Sequence, residues 1–168
     1  MGSARLLKDK KILIVDDEPD VLDTIAEQLD MCRVYKAKDY HTALQLMASF
    51  TFDIVILDIM GVNGFELLKH SVNRGFPTVM LTAHALTPEA LKKSIKLGAV
   101  SFLPKEMMPE IESYLEDVVL GGARSAWEKV FDKLGSFFSK RFGPDWKERD
   151  AFFKAFENEI KGGEIESS

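Results

Sequence analysis

Four short apolar segments in the first 105 residues each lead directly into an acid, a hydroxyl or a lysine, and this pattern constrains the fold most. Residues 11–15 precede Asp16 and Asp17, residues 54–57 precede Asp58, residues 79–81 precede Thr82, and residues 99–103 precede Pro104 and Lys105. Short segments rich in Val and Ile that alternate with helical patterns are typical of buried parallel strands in a βα series. Because ligands collect at the carboxyl ends of such strands, we expect these side chains to converge on one crevice.

Three carboxylates at one crevice have a definite electrostatic consequence. Asp16, Asp17 and Asp58 would raise one another's pKa, so a cation is needed if all three are to ionise cheaply. A hard divalent ion with oxygen ligands, Mg²⁺, meets this need. Lys105 adds a positive charge suited to a phosphoryl oxygen, and Thr82 adds a hydroxyl donor. Because phosphoryl transfer depends mainly on positioning and charge neutralisation, these residues predict phosphoryl capture on Asp58.

In order and spacing, the sequences VDDE, VILD, LTA and PK resemble the receiver domain of two-component response regulators, over residues 9–120. The resemblance implies a flavodoxin-like, doubly wound α/β fold with a five-stranded parallel sheet of order 2-1-3-4-5. It also implies a phosphorylation-activated switch whose phosphoryl donor is a sensor histidine kinase or a histidine phosphotransfer protein. No enzymatic activity is expected beyond Mg²⁺-dependent self-phosphorylation and autodephosphorylation. A bacterial source is implied as well.

The resemblance assigns a role to each matched residue. Asp58 is the phosphoacceptor, and Asp16 and Asp17 hold Mg²⁺ together with Asp58 and the backbone carbonyl of Met60. Thr82 and Lys105 bind the phosphoryl group, Thr82 and Phe102 form the switch, and Met60 and His84 set the rate of dephosphorylation.

The sequence departs from the family pattern in two places. The loop after Asp58 lacks the usual proline and reaches Gly64 two residues early, although Gly61, Asn63 and Gly64 tolerate the positive φ of a turn. The second departure is the proline beside Lys105, which precedes the lysine instead of following it. We therefore do not transfer the cis Lys-Pro peptide of the family, and the bond before Pro104 could be cis or trans.

After Gly121 and Gly122 the chain changes character. Residues 123–161 hold both tryptophans and seven of the twelve phenylalanines, on two stripes with helical spacing. Gly143 and Pro144 separate the stripes, and we expect the second helix to begin at this proline. The segment therefore predicts a helical hairpin. Its first stripe carries Trp127, Val130, Phe131, Leu134, Phe137, Phe138 and Phe142, and its second Trp146, Phe153, Phe156 and Ile160.

The net charge of the C-terminal segment limits which partners the hairpin can bind. Residues 121–168 carry nine Lys and Arg against nine Asp and Glu, so the segment is a poor match for DNA, and we expect no nucleic-acid partner. Two short helices cannot bury so many aromatic rings alone. We expect the rings to lie on the receiver or on a second copy, in a possible homodimer. The alternative is a partner-binding or membrane-surface output module, and the membrane is disfavoured because the polar face is not notably basic.

Two other functions of this fold class do not fit the residues. A flavodoxin-like cofactor binder needs a phosphate cradle after its first strand, where the carboxylates of residues 16–18 would repel a phosphate. An aspartyl-phosphate phosphatase needs a second acid two residues after its nucleophile, where Met60 stands. No run of about eighteen apolar residues and no signal-like N-terminus is present, so we expect a cytoplasmic chain. The one cysteine, Cys32, excludes an internal disulfide and fits a small core residue.

Overall fold

The computed structural model describes residues 6–83 and 86–162, and its centre is a parallel sheet. The sheet has five strands in the order β2-β1-β3-β4-β5, with every neighbouring pair parallel, so the predicted fold class is confirmed. The strands are β1 (Lys11–Val15), β2 (Arg33–Ala37), β3 (Ile54–Asp58), β4 (Thr78–Thr82) and β5 (Ser101–Pro104). All residues of β3, β4 and β5 are buried, as their continuous apolar sequences require.

Helices connect the strands and cover both faces of the sheet. They are α1 (Pro19–Gln28), α2 (Tyr40–Ser49), α3 (Gly64–Asn73), α4 (Pro88–Lys96), a short 3₁₀ helix (Lys105–Glu110), α5 (Ile111–Phe142) and α6 (Ala151–Gly162). Local signals set their starts. The Asp39 side chain accepts a hydrogen bond from the Thr42 N–H at 2.8 Å, and Thr87 caps α4 through the Ala90 N–H at 3.0 Å. A proline in the first turn also favours α1 and α4.

The C-terminal segment differs in detail from the sequence prediction. Helix α5 is interrupted at Gly122, whose φ of 72° and ψ of −162° are not helical. The second helix of the hairpin begins at Ala151 and not at Pro144, so that prediction is wrong, and Trp146 lies in the connecting turn. The reason is local, because Asp150 accepts the Phe152 N–H at 3.0 Å and so caps α6 itself.

This C-terminal hairpin (residues 123–161) lies against the β5 and α4 side of the domain that contains the sheet. The ring of Phe138 contacts that of Phe102 with centroids 6.2 Å apart, and the Trp127 indole N–H donates to the Ala99 carbonyl at 2.9 Å. An ion pair of 2.8 Å joins Asp150 to Lys92 on α4. Six of the nine aromatic rings of the hairpin are therefore buried within one chain, and Phe137, Phe152 and Phe156 are half-buried.

No helix among residues 6–83 and 86–162 is both long and apolar enough to cross a membrane. The same residues contain no cis peptide bond, so the bond between Leu103 and Pro104 is trans.

Candidate phosphoacceptor and metal site

Three carboxylates meet at the carboxyl edge of the sheet. Asp16 follows β1 directly and Asp58 is the last residue of β3, and these two strands are hydrogen-bonded neighbours. One carboxylate oxygen from each of Asp16, Asp17 and Asp58 lies within 4.8 Å of the others. Asp16 and Asp58 are buried and Asp17 is exposed, so the cluster opens to solvent on one side. A close set of oxygen donors with an open side suits Mg²⁺, which keeps several of its waters.

The burial of Asp58 changes its proton affinity. Desolvation is the largest cause, and the negative charge of Asp16 adds to it. Lys105 opposes both effects, but the pKa of Asp58 is still raised from 3.8 to about 7. In Asp16, burial likewise raises the pKa, against hydrogen bonds from Lys105 and from the Glu18 N–H. The cluster therefore holds more negative charge than its surroundings stabilise, which favours binding of a cation.

Lys105 is the positive group of the site. Its Nζ lies 2.8 Å from a carboxylate oxygen of Asp16, 2.9 Å from one of Glu18 and 3.5 Å from one of Asp58. Burial alone would lower the pKa of Lys105, but these carboxylates outweigh it and raise the pKa above its ordinary value. The amine is therefore charged, and it is shared between Asp16 and Glu18 while it lies within 3.5 Å of Asp58.

Glu18 is a contact that the sequence interpretation did not assign. Its carboxylate reaches Lys105 across 87 positions of sequence, while its backbone N–H donates to Asp16 at 2.9 Å. The only sequence signal for Glu18 was its place directly after the two aspartates. Since Glu18 and Asp58 both face Lys105, Glu18 competes with the candidate phosphoacceptor for this amine.

The loop after Asp58 brings Met60 to the mouth of the site. A cleft of about 260 Å³ is lined by Asp17, Glu18, Asp58, Met60, Gly61 and Lys105. The Met60 side chain is 53% exposed. Its thioether accepts hydrogen bonds only weakly, so it is poorly suited to orienting a water molecule. The roles of Met60 and His84 in dephosphorylation stay predictions, and His84 lies outside the described residues.

Two positions of this loop have positive φ, as the turn requires. Gly61 has a φ of 84° and Asn63 a φ of 57°. Gly64 is needed for a different reason, because a Cβ there would lie 2.1 Å from the Asp58 carbonyl oxygen. The shortened loop is thus possible because glycine allows α3 to begin directly against the backbone of Asp58.

Gly64→Ala should therefore lower the free energy of unfolding by about 1–3 kcal/mol, the usual effect of overpacking. Chemical denaturation measures the change. The matched control is Gly135→Ala, because Gly135 lies in the interior of α5 and a Cβ there meets no atom within 4 Å. Alanine at this control position should stabilise the protein by about 0.5–1 kcal/mol. A loss at Gly135 equal to that at Gly64 would contradict the steric explanation.

The structure separates the two predicted switch residues. Thr82 is the buried last residue of β4, at the same sheet edge as Asp58. Phe102 lies two residues before the end of β5, is fully buried, and contacts Phe138 of the C-terminal hairpin. Phe102 is therefore not part of the carboxylate cluster but connects its neighbourhood to the C-terminal hairpin.

The sequence of this chain is similar to those of known proteins. Residues 12–115 match the response regulator receiver domain family, and the chain belongs to that family. The two-component response regulator ARR18 of Arabidopsis thaliana is 31% identical over 122 residues, which are 68% of this chain and 19% of that protein. The regulator of RpoS of Escherichia coli K12 is 38% identical over 105 residues, 59% of this chain and 31% of that protein.

A solved structure gives the same result for the fold. The non-phosphorylated HemR receiver domain from Leptospira biflexa has a TM-score of 0.59 and 35% identity, covering 66% of this chain and 94% of that domain. The chain spans less than a third of the length of the two curated relatives, so their outputs are not transferred to it. Because the relatives include plant and bacterial proteins, a bacterial source stays a prediction.

Proposed function

We propose that Asp58 accepts a phosphoryl group from a phosphohistidine of a sensor histidine kinase or a histidine phosphotransfer protein. The chain then acts as a phosphorylation-activated switch in two-component signalling. The observation that carries the proposal is the buried Asp58 carboxylate, clustered with Asp16 and Asp17 and 3.5 Å from the Lys105 amine. Membership of the receiver family supports it.

In the proposed reaction, an Asp58 oxygen attacks the phosphorus while the P–N bond to the histidine breaks. The products are an acyl phosphate on Asp58 and a free imidazole on the donor. Lys105 neutralises charge on the phosphoryl oxygens, and Thr82 donates a hydrogen bond to one of them. Mg²⁺, held by Asp16 or Asp17, Asp58 and the Met60 carbonyl, supplies further positive charge when bound.

Phosphoramidate, which carries a P–N bond, and acetyl phosphate test this reaction. With Mg²⁺ each should add one acid-stable, base-labile phosphoryl group per chain, seen by intact-protein mass spectrometry. Asp58→Asn should abolish the labelling, and omission of Mg²⁺ should strongly reduce it. The matched control is Asp53→Asn, because Asp53 directly precedes β3, at the end of the strand opposite to Asp58, and is exposed. Undiminished labelling of the Asp58 variant would refute the assignment.

We also propose that phosphorylation of Asp58 changes the way in which the C-terminal hairpin is docked. Lys105 directly follows β5, and Phe102 on β5 contacts Phe138. A phosphoryl group that draws Lys105 from Asp16 and Glu18 shifts the end of β5, and Phe102 passes this shift to the hairpin. A hairpin loosened in this way would expose aromatic surface, and a partner would bind there. The hairpin would then serve as the partner-binding output module that the sequence offers as the alternative.

Tryptophan fluorescence measures the response directly, because Trp127 and Trp146 are the only tryptophans and both lie in the hairpin. Acetyl phosphate with Mg²⁺ should shift their emission in the wild-type protein and leave it unchanged in Asp58→Asn. Phe102→Leu should take up phosphate but give a smaller shift. An unchanged emission spectrum in fully phosphorylated wild-type protein would contradict the coupling and leave phosphorylation itself unaffected.

A further inference from the structure

Helix α5 reverses its direction at Gly122, the one residue of this helix whose φ and ψ are not helical. Residues on the two sides of the reversal meet. The Lys129 Nζ lies 2.9 Å from a carboxylate oxygen of Asp117 and 3.0 Å from the Ser113 Oγ, which is 16 positions earlier in the chain. In a straight helix those 16 positions would span roughly 24 Å. The first half of α5 (residues 111–121) and its second half (residues 123–142) therefore lie side by side and antiparallel.

Two adjacent glycines make this folded-back form possible. The φ of 72° and ψ of −162° at Gly122 belong to a region that is essentially confined to glycine. A Cβ at Gly121 would lie 2.3 Å from the Cβ of Ser125. A continuous helix has neither requirement, because every φ is negative there and side chains four residues apart have Cβ atoms about 5–6 Å apart. Alanine at either position therefore favours a straight α5.

The contacts that dock the C-terminal hairpin join residues on opposite sides of the reversal. Phe138 contacts Phe102, and Arg141 forms an ion pair with Glu106, so in each case a residue after Gly122 binds one before it. None of these contacts requires that both residues belong to the same chain. Exchange of an identical element between two copies is a low-cost route to a dimer, because the interface already exists.

A straight α5 needs such a second copy. Its 32 residues would span about 48 Å and carry the C-terminal hairpin away from the face on which it docks. Alone, this open chain would expose the rings of Phe138 and Trp127 to water, at a large cost. Two open copies that lie antiparallel, with their twofold axis at Gly122, bury these rings again. In this arrangement Asp117 of each copy lies opposite Lys129 of the other.

We propose that two copies of this chain exchange their C-terminal hairpins through a straightened α5. Each hairpin docks on the receiver of the other copy and makes there the contacts that it makes within one chain. Because glycine is a poor helix former, the folded-back monomer prevails in dilute solution, and the dimer gains with concentration by mass action. The exchange does not depend on phosphorylation of Asp58.

Sedimentation equilibrium of the full-length chain tests the role of the reversal. At a concentration where the wild type is monomeric, Gly122→Ala should give a twofold rise in mass. The matched control Gly135→Ala should stay monomeric, because this alanine meets no atom within 4 Å in the folded-back form. The near-ultraviolet circular dichroism of the dimer should equal that of the monomer, since Trp127 keeps its docked surroundings. Asp58→Asn should behave as the wild type. A monomeric Gly122→Ala protein, or a dimer with a changed spectrum, would overturn the proposal.

A charge-reversal pair tests the exchange with both glycines kept. Asp117→Lys and Lys129→Asp each place like charges at the docking interface, so neither chain docks its own hairpin well. Refolded together at high concentration, they restore an opposite pair at both interfaces of a mixed dimer, and native mass spectrometry should find this heterodimer in excess over both homodimers. The control reverses the 2.9 Å pair of Asp23 and Lys36, which both precede Gly122, and should give no excess. Absence of the heterodimer from the first mixture would refute the exchange.

Discussion

Trp146→Ala should lower the free energy of unfolding by about 3–5 kcal/mol, the usual loss for a large aromatic residue in a core. Trp146 is only 2% exposed although it lies in a turn. Its ring contacts four phenylalanine rings with centroid distances between 4.9 and 6.1 Å; these are Phe131, Phe138, Phe142 and Phe153. Since a domain of this kind is stable by roughly 5–15 kcal/mol, the loss would remove a large part of its stability.

Urea denaturation followed by circular dichroism and by the emission of the remaining Trp127 measures this effect. Leu120→Ala is the control, because Leu120 is 68% exposed and its truncation should change stability by no more than about 0.5 kcal/mol. If the hairpin detaches before the receiver unfolds, the two signals will separate, and the emission change will come first. A Trp146 variant that unfolds at the wild-type midpoint would show that the aromatic cluster does not hold the hairpin on the receiver.

The sequence predicts the strands of the sheet because their signals are local, whereas the order of the strands is implied by the resemblance to receiver domains. Each of β1, β3, β4 and β5 is a mainly apolar segment that ends in, or is directly followed by, a charged or hydroxyl side chain such as Asp58 or Thr82. Parallel pairing brings these strand ends to one edge, whatever the details of the helices. The order of the strands places Asp16 and Asp58 side by side, whereas the 2.8 Å contact between Lys105 and Asp16 also requires the long lysine side chain to reach past the ends of β4 and β3.

Other features depend on contacts between distant residues and have no local signal. Glu18 binds Lys105 only because β1 and β5 end at the same edge, and the sequence cannot show which acid the lysine selects. Pro144 looks like a helix start, but the tertiary contacts of Trp146 and the cap at Asp150 place the start of α6 at Ala151. The docking of Phe138 on Phe102 likewise depends on two segments 36 positions apart.

Asp58→Asn should stabilise the metal-free protein at pH 8 by a few kcal/mol. The folded protein raises the pKa of Asp58 from 3.8 to about 7, mainly through burial and the charge of Asp16. Between these two values the folded protein keeps a proton that the unfolded chain has released, so stability falls as the pH rises. Each unit of this difference is equivalent to about 1.4 kcal/mol, and the full destabilisation is present above pH 7. Asparagine carries no charge, so Asp58→Asn removes this destabilisation.

The measurement is the free energy of unfolding of both proteins in EDTA, at several pH values between 4 and 8. The stability advantage of Asp58→Asn should be largest at pH 8 and should shrink steadily toward pH 4, because Asp58 becomes protonated in the unfolded chain as well only when the pH falls below its ordinary pKa of 3.8. Asp20→Asn, at an exposed position on α1, should stay within about 0.5 kcal/mol of the wild type throughout. Mg²⁺ added at pH 8 should stabilise the wild type more than the Asp58 variant, because the cation offsets the buried charge. An Asp58 variant with no advantage at pH 8 would mean that Lys105 already neutralises this carboxylate, and the need for a cation at the site would then lose its electrostatic basis.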